Sequence, residues 1–191
     1  MDNNTPRTLG RTGLRVGPLG LAAAYGAPAS ALETAFDAGC NYFYWGALRR
    51  RGMADAIRNI TKRGLRDRLV VVVQVFARKP ALVEASLRRG LRRLRLDDAD
   101  VLLLGMYDPA WGERLLDSAE RLRRLGAFRF LGISAHRRAV FAPAAADERV
   151  GVIHVRYSAA HRGAEQDVFP HLEPGNRPGV VVFNATNKGR L

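Results

Sequence analysis

The 191-residue chain has a single cysteine, Cys40, which excludes an internal disulfide and any cysteine-built metal cluster. Its four histidines are scattered rather than set at ligand spacing, so no metal site is expected. Lysine is nearly missing: Lys62, Lys79 and Lys188 are the only ones among 31 basic residues. No apolar run approaches the roughly 20 residues that cross a bilayer, and the opening "MDNNTPRTLG" lacks the basic and apolar regions of a secretory signal. A cytoplasmic protein with no membrane partner is the expectation. No G-x-G-x-x-G follows the first apolar stretch, which weakens a dinucleotide-binding Rossmann reading.

What is present is an ordinary globular composition, 47% hydrophobic and 26% charged, long enough for one domain over 1–191. Net charge is +13, carried almost wholly by arginine. Clustered cations of this kind neutralise phosphates, yet arginine with abundant alanine and glycine also follows from a GC-rich coding sequence. The second explanation is the simpler one, and a nucleic-acid partner is disfavoured.

Strand and helix signals alternate along the chain. After the hairpin-like "RTLGRTGLRVGPLG" comes an apolar stretch over 19–24, then "PASALETAFDAG", in which Ser30 and Glu33 form an S-x-x-E box and Gly39 closes the helix. Strands are predicted at 41–44, 69–76, 99–106, 128–134, 150–157 and 179–183, with helices at 52–64, 80–95, 110–125, 136–147 and 164–172. The run "LVVVVQVF" is nearly unbroken and β-branched, and such a strand must be covered on both faces, as in a parallel sheet. Between 80 and 95, Val83, Leu87, Gly90, Leu91 and Leu94 recur at helical spacing behind Pro80, with arginines 88, 89, 92, 93 and 95 on the other side. Regular βα alternation fits a doubly wound sheet or a (β/α)8 TIM-type barrel. The barrel is preferred, as an incomplete one of about seven βα strands with an N-terminal β-hairpin and the eighth unit missing.

The segments "RTLGRTGLRVGPLGL", "AFDAGCNYF", "SLRRGLRRLRLDDADVLLL", "RLRRLGAFRFLGISAH", "VIHVRYSAAHRGAEQDVFP" and "GVVVFNATNKGRL" occur in the order found in the aldo-keto reductases, which the chain resembles over its whole length. The resemblance implies a barrel plugged by a hairpin, and NADP(H) lying at the C-terminal strand ends. It further implies carbonyl reduction by hydride and a tyrosine acid tuned by a lysine, an aspartate and a histidine. Motif alignment puts the aspartate position on Tyr44 in "NYFYWG" and the tyrosine position on Arg49. The lysine position falls on Gln74, or on Val75 with a one-residue shift, and the histidine position on Gly105. All four are replaced. Of the cofactor-facing positions, Ser134 is kept, the strand-6 glutamine becomes His154, and the ring that stacks on nicotinamide becomes Phe183.

A phenol titrating near 10 is a useful acid only beside a cation that adjusts it, so conventional carbonyl reduction is not expected. The resulting picture is a pseudoenzyme of an NAD(P)-dependent oxidoreductase family. The alternative is a non-catalytic binding or regulatory barrel for an anionic small molecule, an acidic protein or nucleic acid. Arginines 49, 50 and 51, after the second strand, form either an anion receptor at the mouth or a solvated loop. The arginines of 88–95 are explained by a solvated helix face. Further polar residues near predicted strand ends are Tyr25, Tyr107, Asp108, His136, Tyr157 and His161, with Asp108 and His136 a candidate acid and base pair. A chain stopping at "NKGRL" without an eighth strand reads most simply as a fragment; a partner chain or self-association completing the barrel, or a defective gene product, are the other readings.

Overall fold

The computed structural model describes residues 5–46, 50–109, 112–187 and 189. Strands β1 (Arg7–Thr8) and β2 (Arg15–Val16) pair antiparallel as a hairpin. Then come β3 (Gly20–Ala22), α1 (Ala29–Asp37), β4 (Tyr42–Trp45), α2 (Arg51–Lys62), β5 (Val70–Val75) and α3 (Pro80–Leu94). They are followed by β6 (Ala99–Gly105), α4 (Gly112–Arg124), β7 (Phe128–Ser134), α5 (Phe141–Ala146), β8 (Val150–Arg156), α6 (Ala164–Asp167) and β9 (Gly179–Phe183). Strands β3 to β9 form one parallel sheet in sequence order, curled into an incomplete TIM-type barrel; no eighth barrel strand exists among the described residues.

Both faces of this sheet are buried, and the period of two along each strand sorts the side chains. Phe43 and Trp45 of β4, Val71, Val73 and Val75 of β5, and Leu102 and Leu104 of β6 point outward into the layer shared with the helices. Tyr42, Val70, Val72, Val101, Leu103 and Val152 point inward. The inward set meets Leu9, Leu14 and Val16 of the hairpin, which plugs the base of the curl. Arg11 fastens the plug: its guanidinium donates to the carbonyls of Asp147 (3.1 Å), Ala145 (2.6 Å) and Asn176 (2.7 Å). Gly10 has φ +50° and pairs with Pro178, so close to the backbone of 177–179 that no Cβ fits.

Helix α3 follows its sequence pattern: Pro80 opens it, and the five residues predicted to face inward are the five it buries. Elsewhere the boundaries shift for local reasons. The capping box of α1 does not form; Pro28 is the N-cap, Ser30 lies inside the first turn, and Glu33 instead accepts from Asn59 of α2 at 2.8 Å. Gly39, at φ +100°, does end that helix. The helix expected over 136–147 is a 3-10 turn at Arg138–Val140 followed by α5, because Pro143 is tolerated only in a first turn. Pro170 likewise divides 164–172 into α6 and a 3-10 turn at Phe169–His171.

The base of the sheet is tied by Asp100, 3% exposed. Its carboxylate accepts from Arg66 (2.8 Å), Arg129 (3.1 Å) and the Val71 amide (2.8 Å), joining β5, β6 and β7 at one point. Removing a buried carboxylate leaves its donors uncompensated. Asp100→Ala is expected to lower the free energy of unfolding by about 3 kcal/mol, read from urea denaturation.

Candidate functional site

The C-terminal ends of β3 to β9 surround a cavity of about 660 Å³, within the size range of small-molecule sites. Which residues reach it follows from the same alternation. Tyr42 and Tyr44 of β4, Gln74 of β5, Ser134 of β7, His154 and Arg156 of β8, and Phe183 of β9 all line it. Gln74, not Val75, is the inward residue of its pair, since Val75 is packed against the helices.

The floor is a set of polar groups satisfied by one another. The Tyr42 hydroxyl and His154 Nε2 are hydrogen-bonded at 2.8 Å across the concave face. The Tyr44 hydroxyl donates to Gln74 Oε1, and the Tyr44 ring lies 5.5 Å from the His154 ring. Gly105 explains how Gln74 fits: a Cβ there would stand 2.5 Å from Gln74 Nε2 and 2.7 Å from the Phe76 ring. The space of a side chain at 105 is filled from β5. Arg49 lies outside the described residues.

Burial sets the proton affinities. His154 is 4% exposed, and loss of water holds its imidazole down to about 3, so it is uncharged at neutral pH. Burial also pushes the Tyr42 phenol up, with the neighbouring Tyr44 adding to the effect. Among the described residues, the cavity wall carries no lysine and no carboxylate, and its one arginine is Arg156. A tuned proton donor needs a cation beside a phenol; the hydroxyl of Tyr44 donates to an amide oxygen, and that of Tyr42 is bonded to an uncharged ring.

The other sequence candidates divide. Tyr25, 81% exposed, and His136 stand at the mouth. His136 packs edge-on against Phe183, ring centroids 6.1 Å apart, whereas Asp108 turns to Arg137 at 3.6 Å. The two members of the candidate Asp108 and His136 pair thus each have a contact apart from the other. Tyr107 is buried, its amide donating to the Ser134 carbonyl. Tyr157 donates to Glu165 at 2.7 Å, and His161 meets Arg156 at 2.6 Å. Arg50 is exposed and Arg51 pairs with Asp55 at 3.2 Å; neither lines the cavity. Arg50 and Arg51 therefore do not supply the cavity wall with charge. Arg156, which sequence reasoning passed over, does, and its signal was available: in "VGVIHVRY" the alternation that turns His154 inward turns Arg156 inward as well.

No group of three or more metal-ligating side chains occurs among the described residues, and no helix among them is long and apolar enough to cross a membrane. A parallel barrel with a hairpin plug and a mouth cavity at its strand ends defines the class of protein. The aldo/keto reductase family model matches residues 23–191, and the chain belongs to that family. It is similar to aldo-keto reductase AKR11C1 from Bacillus halodurans, in its holo form, with 24% identity and a TM-score of 0.79 over 97% of this chain and 66% of that one. It is also similar to an aldo/keto reductase from Klebsiella pneumoniae, solved with NADP and acetate, at 23% identity and a TM-score of 0.79 over 99% of this chain and 70% of that one. A search of the curated proteins gave no significant match.

The buried neutral histidine makes stability depend on pH. Its folded proton affinity lies below the unfolded value, so the unfolded chain binds the extra proton and stability is lost as pH falls from 6.5 toward about 3. The expected slope from this one group is about 1.4 kcal/mol per pH unit inside that window. Denaturant titrations at pH 7 and pH 5 on the wild type and His154→Gln should show this contribution disappear in the variant.

Proposed function

We propose that this chain is a small-molecule-binding member of its family that does not perform the family's carbonyl reduction. The observation that carries the proposal is the hydrogen bond from Tyr44 to Gln74 at the tetrad positions. An amide at 74 offers no cation to adjust a phenol, and the space at 105, where the resemblance places a histidine, is filled by Gln74 and Phe76. The buried imidazole, His154, is neutral and joined to Tyr42. What the site keeps is shape: a largely apolar cavity with a few convergent polar groups.

For NADP(H), Ser134 and Phe183 stand on one cavity wall and suit the nicotinamide end, Ser134 through its hydroxyl and Phe183 through its ring. His154 suits its aligned role less well, because its Nε2 is already engaged by Tyr42. Bound there, the cofactor would supply hydride. Ser134 and Phe183 would orient it, while the amide at 74 and the glycine at 105 leave those two positions without an acid. A cytoplasmic setting agrees with this reading.

Incubation with NADPH and a panel of aldehydes and ketones is expected to give no oxidation at 340 nm above the rate without protein. Turnover that Tyr44→Phe or Gln74→Ala abolishes would overturn the proposal, since it would make Tyr44 a relocated acid.

A further inference from the structure

Among the described residues the cavity wall has one formal charge, and no acid there neutralises it. Arg156 ends β8 on the concave face, paired in register with Phe183. It forms no ion pair among the described residues. Its contact with His161, Nη2 to Nε2 at 2.6 Å, is with a side chain that brings no negative charge. His161 is itself fixed: its amide donates to the Ser158 carbonyl at 2.9 Å, and its Nδ1 lies 3.3 Å from Ser158 Oγ. The acids of the next segment are already occupied. Glu165 takes two bonds from Arg162 (3.0 and 2.8 Å) and one from Tyr157 (2.7 Å), and these hold its carboxyl below the usual range. Asp167 pairs with Arg138 at 2.5 Å.

We infer that Arg156 is the receptor for a carboxylate on a ligand with a flat apolar body, lodged in this cavity. This rests on the reading of the chain as a small-molecule-binding barrel. The argument is one of matching. A single guanidinium oriented by a side chain that brings no negative charge presents parallel N–H donors to the two oxygens of a carboxylate. One cation balances a monoanion, whereas a phosphate dianion would call for more positive charge than the described wall supplies. Much of the rest of the wall is apolar, including Leu21, Phe76, Met106 and Val181, with Phe76 and Met106 substantially exposed. A charged head with an apolar body satisfies both parts.

The test is calorimetric titration of the full chain at pH 7 and low salt with 2-naphthoate, its uncharged analogue 2-naphthamide, and inorganic phosphate. The wild type is expected to bind 2-naphthoate at least tenfold more tightly than 2-naphthamide. Arg156→Gln should erase that preference, and a urea unfolding midpoint matching the wild type's would show that the variant is folded. Arg156→Lys should restore part of it, and phosphate should not displace 2-naphthoate. Equal binding of acid and amide, a preference that survives Arg156→Gln, displacement by phosphate, or no binding of 2-naphthoate would each overturn the inference. The two readings fail separately. A chain that turns over NADPH yet prefers 2-naphthoate through Arg156 overturns only the loss of reduction. One that is silent toward NADPH and indifferent to the carboxylate overturns only this assignment.

Discussion

A parallel sheet buried on both sides has no solvent to satisfy a stray polar group, and each such group on its faces must find a partner within the protein. On the outer side the helices cover Val, Ile, Leu and aromatic side chains, and the issue does not arise. On the concave side it does. The hairpin fills the base with Leu9, Leu14 and Val16, the middle layer is valine and leucine, and above it two tyrosines, a glutamine and a histidine lie close together. Their mutual pairing, Tyr42 with His154 and Tyr44 with Gln74, is how the sheet accommodates them.

That pairing connects substitutions which look independent along the chain. Gln74 reaches the Tyr44 hydroxyl in a cavity where position 105 has no side chain, and Phe76 takes up what is left of that space. The amide at 74 and the glycine at 105 are therefore parts of one packing arrangement. A histidine placed at 105 alone would meet the amide and the ring. The same burial that satisfies His154 strips it of charge, so a residue that looks like a titratable group at the site behaves as an uncharged hydrogen-bonding one.

The architecture could be read from the sequence because its signals are periodic and local. The buried face of α3, the strand at Gly179–Phe183 and the parallel order of the sheet follow from apolar spacing and alternation. Element ends were legible only where one residue decides them. Gly39 did, whereas the capping pair Ser30 and Glu33 matched a pattern that does not form, the N-cap being Pro28. The cavity-facing positions were legible too, since Tyr44, Gln74, Ser134, His154 and Phe183 all line it. What alignment of motifs does not contain is who touches whom. The bond between Tyr42 and His154 spans 112 residues of sequence, and no local pattern marks it.

The charge of the chain shows the same limit from another side. A net +13 and a run such as "LRRRG" draw attention to quantity, yet what matters in the fold is which arginines lack an acid. Arg51 has Asp55, Arg66 and Arg129 share Asp100, Arg138 has Asp167, and Arg149 has Asp147 and Glu113. Solvated surface pairs of this type contribute little individually, but each removes a cation from the pool that could greet a ligand. Arg156 is the exception on the described cavity wall, held by a histidine beside acids already engaged by other residues. A guanidinium kept unneutralised at the edge of an apolar cavity concentrates the field where a ligand enters, so the position of one arginine says more about recognition than the sum of all of them.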